Sequence, residues 1–537
     1  MGELRRTVIV DGYIDDPAAL GVPPYISPIV RAAAGAALDA GHEVEYITAD
    51  MLRLGKGIPD ANLVAVISGN TVPGKYLRSM PMSSKELMHL AHSIGSYSIL
   101  GGSSCSSPAS RFFDEISEKD IAAAIFDILS YKERKERYRT LDEWNRWMVL
   151  GASIVKQHQD HPRPLVAEIE TYRGCHRYAS GGCSYCIEPL KGRPLMRRPE
   201  DILREASELK RNGIVNVRVG GQTCIVSYGS EDDSGIPRPN PDAVRKLFFG
   251  LRDLQFEVMH VDNANPAVIS EYPDESEKIL GILTECCTPG NVLALGMESA
   301  DISVIEANNL NATPERTIDA IRMINRIGAS RGANGMPLLL PGINIIAGLD
   351  GETAGTYDKN LEFLRKVRDE GLILRRINIR QVLPVRREFN VRINEKRFRK
   401  HKETIREEID REMLKRVVPY GTVLRNVLME LSDGGTTFGR QIGSYPLLVG
   451  VSYPLEIGKY YDIAITDWGF RSVTGVEYPF NVNTASMAAL SALPGIGKKR
   501  AAAIIRGRPF EDFDGLAETL DEPSVSEPLR RLLLMKE

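Results

Sequence analysis

Strand-like and helix-like segments alternate through the middle of this chain, between residues 161 and 385. Each strand-like run is short and apolar, and the segments between the runs space their apolar residues as amphipathic helices do. The runs read LVAEIET, VNVRVGG, FEVMHVD, VLALGME, GINIIAG and RINIRQV. Six successive β/α units predict a partial, parallel barrel that carries its chemistry at the C-terminal ends of the strands.

Three cysteines lie in one Gly/Ser-rich loop directly after the first of these strands. Cys175, Cys183 and Cys186 belong to the stretch YRGCHRYASGGCSYCIEP. Three thiolates on one loop suit a 4Fe–4S cluster that leaves its fourth iron open to another ligand. A structural zinc site with a fourth ligand such as His176 is the alternative, because CxxC pairs also bind zinc. The residues at the later strand ends favour the cluster.

Glycines and polar residues recur at the ends of the later strands. Glycines let a backbone approach a ligand closely, a glutamate can bind hydroxyl or ammonium groups, and an arginine can pair with a carboxylate. Each of these residues alone is equally well explained as an ordinary turn or loop residue, but together they indicate a ligand site. The candidate ligand-binding residues are Gly220, Gly221, Gln222, Glu298, Asn344, Gly348 and Arg380.

The cysteine loop resembles that of the radical S-adenosylmethionine (SAM) superfamily, where an aromatic residue, here Tyr185, precedes the last cysteine of a CxxxCxxC motif. This chain has seven residues between its first two cysteines where three are usual, and lengthening a flexible loop costs little. CSYCIEPLKGRP, GGQTCIVSYG and GLDGET further resemble the radical domain of methylthiotransferases, with Asp350 in place of the usual proline. The resemblance implies a 4Fe–4S cluster on Cys175, Cys183 and Cys186, with bound SAM as the source of a 5′-deoxyadenosyl radical.

Residues 1–118 show the strand–helix–strand pattern of a doubly wound, Rossmann-like domain. This region resembles the cobalamin-binding domain of related enzymes, so cobalamin is a candidate cofactor, although the DxHxxG motif is absent and an empty structural domain is the alternative. Methylthiotransferases carry three cysteines here for a second cluster, whereas this region has only Cys105. Sulfur insertion is therefore weakly supported. Cys286 and Cys287 are interpreted as packing thiols. Cys224 either faces the cavity, as the cysteine of a methyl-shuttling radical enzyme would, or is a buried inert thiol.

The net charge of −3 gives no global positive field, so any contact with nucleic acid must be local. No run of the sequence has the length of a membrane span or the form of a signal peptide. We therefore expect a cytoplasmic protein without a membrane partner. Cysteines clustered as metal ligands fit that reducing compartment, and the implied chemistry calls for an electron donor such as ferredoxin or flavodoxin.

Three further segments complete the predicted organisation around the barrel. Residues 119–160 are expected to form a helical connector, and residues 386–430 a charged helical linker. Residues 431–478 show short strands with Gly-rich turns and resemble the TRAM domain, a small β-barrel that contacts tRNA. Aromatic residues in this segment either stack on bases or fill the barrel core. They are Tyr460, Trp468 and Phe470.

The segment 479–537 matches the helix-hairpin-helix module through LPGIGKKRA. Two helices joined by a Gly-Ile-Gly hairpin would present backbone N–H groups to a phosphate, and basic residues would add charge. Such contacts read backbone rather than sequence, so they leave RNA and DNA both open. A protein-docking hairpin is the alternative. The predicted contacts are Gly495, Gly497, Lys498, Lys499 and Arg500.

Together these features predict an α/β protein with a Rossmann-like domain, a partial barrel, a small β-barrel and a C-terminal helical hairpin. We expect a radical SAM enzyme that methylates or otherwise functionalises a nucleotide in RNA, with tRNA as the first candidate. Two alternatives stay open. One is a radical enzyme acting on a small molecule or protein, and the other is a non-enzymatic nucleic-acid-binding protein with a structural metal site.

Overall fold

The computed structural model describes residues 5–14, 24–69, 76, 78–131, 134–232, 234–520 and 522–533. The chain divides into two compact units, each described by itself below. Unit 1 comprises Met1–Gly182, Ile187–Ala264 and Tyr272–Thr288. Unit 2 comprises Cys183–Cys186, Asn265–Glu271 and Pro289–Glu537. The division passes through the predicted barrel segment and assigns Cys175 to unit 1 and the CxxC pair to unit 2.

Unit 1 begins with a parallel sheet that has helices in its connections, as the strand–helix–strand pattern predicts. The strands of this sheet are β1 (Arg6–Asp11), β3 (Glu43–Thr48), β4 (Leu63–Ile67), β5 (Ser98–Gly101) and β6 (Glu115–Ser117), while the short strand β2 (Tyr25–Ile26) lies outside it. The helices are α1 (Pro28–Asp39), α2 (Ala49–Arg53), α3 (Ser84–Ser93), α4 (Ile121–Leu129) and α5 (Leu141–Leu150). The sheet order β3-β1-β4-β5-β6 is that of a flavodoxin-like doubly wound fold.

Helix α1 is buried along nearly its whole length, because two glycines allow close contacts with the segment around α5. A Cβ atom on Gly35 would lie 1.9 Å from the Trp147 carbonyl oxygen, and one on Gly151 would lie 1.8 Å from the Arg31 carbonyl oxygen. Arg31, fully buried in α1, pairs with Glu205 at 2.6 Å. A buried charge is tolerated when it is paired in this way.

A second parallel sheet of unit 1 carries the first three strands of the predicted barrel. The three strands are β7 (Val166–Glu170), β10 (Asn216–Gly220) and β11 (Val258–Val261), and the helices between them are α6 (Pro199–Arg211) and α7 (Pro241–Asp253). Two short strands, β8 (Tyr172–Arg173) and β9 (Leu195–Met196), form a separate antiparallel pair. The strand order is β11-β10-β7-β2. Strand β2 extends this sheet rather than the N-terminal one. The sequence pattern does not predict that pairing, because two residues are too few to show a period.

Unit 2 contains the parallel sheet β12-β13-β14 with the remaining barrel strands. The helices around this part of the chain are α8 (Pro266–Glu271), α9 (Pro273–Cys286, in unit 1), α10 (Ile302–Ala307), α11 (Pro314–Gly328) and α12 (Ala354–Asp369). The strands are β12 (Asn291–Glu298), β13 (Leu339–Ala347) and β14 (Arg376–Gln381). All six predicted strands are therefore present.

The C-terminal part of unit 2 holds a closed β-barrel and a group of short helices. Two helices precede the barrel, α13 (Glu395–Ile405) and α14 (Arg411–Val417). The barrel strands are β15 (Val423–Asp433), β16 (Thr436–Arg440), β17 (Leu448–Val451), β18 (Tyr460–Trp468) and β19 (Ser472–Glu477). The last helices are α15 (Met487–Ser491), α16 (Lys498–Gly507), α17 (Phe513–Leu520) and α18 (Pro523–Leu529).

Barrel and terminal helices share one hydrophobic core, in which Val449 and Ile463 of the barrel lie with Leu490, Ile504 and Leu516 of the helices. Strand β15 begins before residue 431, inside the segment expected to be a helical linker, because its apolar residues close the barrel against β18. Within the described residues, no helix combines the length and the apolar character needed to cross a membrane.

Candidate active site

Cys175 lies in unit 1, half-buried at the start of the cysteine loop. Its backbone N–H donates to the Gly192 carbonyl at 3.3 Å, and its carbonyl accepts from the Tyr178 N–H at 2.9 Å. The sulfur accepts from the Arg177 N–H at 3.4 Å. Burial raises the pKa of this thiol, so a metal ion, which deprotonates a coordinating thiol, would be needed to hold it as thiolate at neutral pH.

Cys183 and Cys186 lie in unit 2, at the two ends of a tight turn. The Cys186 N–H donates to the Cys183 carbonyl at 3.1 Å. Both cysteines are half-buried and free of disulfide bonds. Tyr185, the aromatic residue predicted from the motif, packs with Cys183 against Val304 and Leu349.

The donor set fits the cluster better than zinc. All three cysteines are free thiols on one loop of the sequence. Structural zinc needs four converging ligands, whereas each iron of a 4Fe–4S cluster takes one protein thiolate. Three thiolates would therefore leave one iron of a cluster open.

Gln222 uses its amide group within unit 1. Its Nε2 donates to the Asp262 carbonyl at 2.8 Å and to the Val219 carbonyl at 3.3 Å. Its Oε1 accepts from the Thr171 hydroxyl at 3.2 Å, and the residue is only 1% exposed. These bonds fix the turn after β10, so in this arrangement Gln222 holds the loop rather than presenting its side chain to a ligand.

The two glycines before Gln222 make room for carboxylates of the same unit. A Cβ atom on Gly220 would lie 2.0 Å from Glu168 Oε1, and one on Gly221, whose φ is +76°, would lie 2.8 Å from Glu170 Cγ. The predicted close approach is therefore real, but the group that approaches is a neighbouring side chain.

A charged row on the β7-β10-β11 sheet escaped the sequence analysis. Arg218 on β10 pairs in register with Glu168 on β7 and with His260 on β11. Its guanidinium lies 2.8 Å from Asp262 and 3.5 Å from Glu168, and burial raises the pKa of Glu168. Strands of a parallel sheet usually read as continuous apolar runs. The polar residue at every second position of VAEIE, NVRVG and VMHVD was the signal.

Glu298 in unit 2 combines an unusual backbone conformation, burial and an unsatisfied carboxylate oxygen, which are features of a functional residue. It ends β12 at a register shift, with a φ of +65° that is uncommon for a residue other than glycine. It is 7% exposed, and its Oε2 has no hydrogen-bond partner within the described residues. Burial raises the pKa of Glu298 to about 7, although the Tyr185 hydroxyl bond and the positive charge of Arg380 oppose that rise. A buried polar atom of this kind is costly unless a ligand satisfies it.

The other predicted residues of unit 2 lie on or beside the same sheet. Asn344 accepts a 3.1 Å bond from the Asn378 amide, with which it pairs in register. The Gly348 N–H donates to Glu352 at 2.7 Å. Arg380 acts electrostatically on Glu298. Asn378 is a neighbour that the sequence analysis did not single out.

The remaining cysteines behave as packing thiols. Cys105, Cys224, Cys286 and Cys287 are all buried. Burial raises the pKa of Cys105 and of Cys286 to about 11 each, and buried apolar surroundings make such thiols inert.

The helix-hairpin-helix segment is well formed. Gly495, with a φ of +73°, and Gly497 flank Ile496, which is 2% exposed and fixes the hairpin in the core. Helix α16 starts after Gly497 without any side-chain cap, and Lys498 and Lys499 are exposed beside it.

Arg500 has a different place from the two lysines. Its Nη1 donates to the Gly495 carbonyl at 2.9 Å, and its Nη2 pairs with Glu522. Arg500 therefore braces the hairpin from within, whereas Lys498 and Lys499 face solvent.

The three barrel aromatics do not share one role. The Trp468 Nε1–H donates to the Val418 carbonyl at 2.8 Å, and the ring packs on the hydrophobic core. Tyr460 and Phe470 are 43% and 38% exposed. Core packing thus accounts for Trp468, while the other two rings are accessible.

Two family models match the segments that contain the cysteine loop and the hairpin. The family model described as "Radical SAM superfamily" matches residues 169–364, and the model described as "Helix-hairpin-helix motif" matches residues 477–520. The chain belongs to the radical SAM superfamily and is a radical SAM enzyme. It shares its family with an uncharacterized protein of Methanocaldococcus jannaschii, 43% identical over 511 residues that cover 88% of this chain and 93% of that protein.

More distant similarities cover less of the chain. A tRNA-2-methylthio-N(6)-dimethylallyladenosine synthase of Lachnoclostridium phytofermentans is 29% identical over 202 residues, which cover 37% of this chain and 39% of that enzyme. A solved structure described as coproporphyrinogen III oxidase (HemN) from Escherichia coli is 14% identical, with a TM-score of 0.32, over 55% of this chain and 70% of that one.

The expected fold class is confirmed. It is α/β, with the parallel sheets of a radical SAM partial barrel, a five-strand closed β-barrel and C-terminal helices. Membership of the superfamily implies a 4Fe–4S cluster and SAM, and the hairpin motif suggests nucleic-acid binding. The alternative of a non-enzymatic binding protein is wrong. The TRAM resemblance and a cobalamin cofactor stay predictions.

Proposed function

We propose that this radical SAM enzyme modifies a nucleotide in RNA, with tRNA as the first substrate class, by methylation or another functionalisation of a C–H bond. The observation that carries the proposal is the uncapped start of α16 beside exposed Lys498 and Lys499. The limited similarity to a tRNA-modifying synthase supports RNA over DNA.

The hairpin recognises phosphate through general electrostatics. The first N–H groups of an α-helix have no intrahelical partner, and the helix dipole makes that end attractive to anions. Gly497 brings no side chain to this end, and a Cβ there would meet nothing within 4 Å. Two lysine charges strengthen the attraction. A phosphodiester backbone therefore fits this surface, and the choice of nucleotide must be made elsewhere.

Cys175, Cys183 and Cys186 would hold the cluster, and Tyr185 would pack beside it. A cluster held there would supply the single electron that cleaves SAM to methionine and a 5′-deoxyadenosyl radical, the species that would take a hydrogen atom from the substrate. Glu298 then has a defined role, because its unpartnered Oε2 can accept a hydrogen bond from a ribose hydroxyl of SAM. Burial, which raises its pKa, makes that bond worth more than it would be in water.

Within unit 2, Arg380 and Asn344 would assist at the same strand ends. Arg380 places positive charge near Glu298 and can pair with the SAM carboxylate. In unit 1, the turn of Gly220, Gly221 and Gln222 would bind the methionine amino group of SAM, as the family resemblance implies. It would do so through its backbone, since the Gln222 side chain is already engaged. We further propose reduction by a ferredoxin- or flavodoxin-like donor in the cytoplasm.

The radical chemistry is tested by anaerobic purification and reconstitution with iron and sulfide. We expect about four irons per chain and 5′-deoxyadenosine on reduction with SAM, both lost in Cys183→Ala/Cys186→Ala. Cys286→Ala is the matched control, because it removes a buried thiol outside the loop. Zinc in place of iron, with no SAM cleavage, would refute the proposed chemistry.

The substrate class is tested by adding total tRNA to the reconstituted enzyme. We expect tRNA to increase 5′-deoxyadenosine formation and to acquire a modified nucleoside detectable by mass spectrometry. Turnover on a small molecule or protein without RNA would contradict the RNA proposal and leave the radical class intact. Cobalamin in the N-terminal sheet domain is checked by its visible absorbance after purification with the cofactor supplied.

A further inference from the structure

The Cys183–Cys186 turn is held by a segment that follows β14. We call residues 382–393 the strap. Arg386 of the strap donates from Nη1 to the carbonyl oxygens of Cys183, at 2.9 Å, and Cys186, at 3.3 Å. A guanidinium that bonds to two carbonyls of one turn fixes their relative orientation, because its donors have rigid directions. The strap therefore contacts the backbone of both cysteines of the CxxC pair.

The same turn is held from a second side by Asn308, which is fully buried. The Ser184 hydroxyl donates to the Asn308 side-chain oxygen at 2.7 Å, and the Ser184 N–H donates to the Asn308 carbonyl at 3.1 Å. The amide nitrogen of Asn308 donates to the Asp350 carbonyl at 2.8 Å. Asp350 is thus linked through one residue to the middle of the CxxC turn.

Asp350 also anchors the strap. Its carboxylate pairs with Arg387 at 2.7 Å and accepts from the Asn390 N–H at 3.2 Å. A proline at this position, as in the family that the turn resembles, would offer no carboxylate. Asp350 therefore joins the two sets of contacts that fix the CxxC turn, one through Asn308 and one through the strap.

Apolar contacts attach the strap to the sheet of unit 2. The Val382 N–H donates to the Ala347 carbonyl at 2.8 Å, and Val382 and Phe389 pack on the same small core as Cys183. A Cβ atom on Gly348 would lie 2.8 Å from Ile393. Gly348, predicted as a ligand contact, has the added effect of admitting the end of the strap.

We propose that the strap is the positioning element for the cluster-binding turn, with Arg386 as the positioning residue and Asp350 as its anchor. The inference rests on the proposed cluster. Arg386 holds the carbonyls of Cys183 and Cys186 so that both thiols keep the spacing a cluster needs, and its positive charge favours the reduced form of that cluster. Asp350 keeps Arg386 in place by fixing Arg387 and Asn390.

The first test uses the full-length protein without a cluster. Hydrogen exchange of the peptide that contains Cys183–Cys186 is measured in wild type, Arg386→Gln, Arg386→Lys and Asp350→Asn, with Arg392→Gln as the matched control from the same segment. We expect exchange about tenfold faster in Arg386→Gln, because losing charge-assisted hydrogen bonds opens a local structure by that order. Partial recovery is expected in Arg386→Lys and a smaller acceleration, about threefold, in Asp350→Asn.

The second test uses the reconstituted protein. Iron release to a chelator should be about tenfold faster in Arg386→Gln than in wild type or Arg392→Gln, and the midpoint potential of the cluster should fall because a nearby positive charge is lost. Exchange and iron release equal to those of Arg392→Gln would overturn the proposal. Should Arg386→Gln not fold, Asp350→Asn decides it, since unchanged exchange in that folded variant is equally contrary. A wild type that never binds iron would defeat the proposed function, while the exchange comparison would still decide the strap.

Discussion

The turn after β10 in unit 1 and the end of β12 in unit 2 both contain residues that the sequence singled out as ligand contacts, yet they differ in what is left for a ligand. Around Gln222 the amide makes three bonds to its own unit, and the glycines are filled by Glu168 and Glu170. At Glu298 a buried carboxylate oxygen has no partner in the described part of the chain. Folding satisfies the polar side chain at the turn after β10, whereas it leaves one carboxylate oxygen at the end of β12 without a hydrogen bond from the described residues.

The difference gives a criterion for polar residues at strand ends, which is whether other residues of the folded protein already satisfy their hydrogen bonds. A buried polar group that folding satisfies stabilises the protein without a ligand. A group that folding leaves unsatisfied lowers stability until a ligand binds. The hairpin shows the same contrast on a smaller scale, because Arg500 is bonded within it while Lys498 and Lys499 face solvent.

The largest effect should be the pH dependence that Glu298 imposes on stability. Its pKa rises from 4.5 to about 7 on folding, so the protonated form is favoured in the folded state. Below pH 4.5 the carboxyl group is protonated in both states, and its contribution to the stability of the folded protein is fully present. That contribution is lost as the pH rises through 7, because ionisation then favours the unfolded state. Between pH 4.5 and 7, the free energy of unfolding of Glu298→Gln should therefore rise relative to that of wild type, by up to about 3 kcal/mol.

Thermal unfolding of the cluster-free protein between pH 4 and 8 measures this effect as a difference between variant and wild type. Glu456→Gln, which removes an exposed carboxylate of the same unit, is the control and should show no such window. Parallel curves for Glu298→Gln and wild type would mean that Glu298 is satisfied in the folded protein.

The next effect concerns SAM itself. Glu298→Gln should weaken SAM binding about 10- to 100-fold, the worth of one hydrogen bond to a charged group, while iron content stays normal. Gln222→Ala should weaken SAM binding less than Glu298→Gln does, because it acts only through the turn that its side chain holds. It should lower the free energy of unfolding by about 2 kcal/mol, because buried backbone carbonyls lose a donor. Titration calorimetry of SAM into the reconstituted proteins measures the Kd, and chemical unfolding measures the stability of each variant. Weaker SAM binding by Gln222→Ala than by Glu298→Gln would contradict the comparison.

A smaller effect is expected at Gly220. Gly220→Ala places a methyl group where Glu168 Oε1 lies 2.0 Å away, and overpacking of this kind costs about 1–2 kcal/mol. Glu168→Ala in the same chain should recover most of that loss, because the obstructing carboxylate is gone. Chemical unfolding of both single variants and the double variant measures the coupling. If the two changes simply add, Glu168 is not what excludes a side chain at Gly220.

The smallest effect belongs to the hairpin. Lys498→Glu/Lys499→Glu should weaken tRNA binding about tenfold near 0.15 M salt and reduce the salt slope by about two. Filter binding over a salt series measures both quantities. Lys85→Glu/Lys278→Glu makes the same charge change on exposed lysines of unit 1 and should leave the slope unchanged. Equal losses in the two double variants would show a general charge effect instead of a hairpin contact.

Local sequence signals predicted the elements that they can encode. Six apolar runs gave six strands because a strand needs only a short apolar run bounded by turn residues. The Gly-Ile-Gly hairpin was predictable from one short motif. Residues whose role depends on distant neighbours were not predictable. Arg386 lay in a segment interpreted as a charged linker, although it bonds to carbonyls about two hundred positions earlier in the chain.

By itself, the sequence determined the superfamily, the α/β class, the three cysteines and the terminal hairpin, because periodicity and short motifs are local properties of a chain. Only the tertiary structure decided that the Gln222 amide is hydrogen-bonded within its own unit and that Glu298 keeps an oxygen without a partner among the described residues. It also decided that Asp350 binds Arg387 and Asn390 of the strap. The physical reason is that burial and hydrogen bonding are satisfied between residues far apart in sequence. Which polar groups remain for a ligand is known only after folding has used the others.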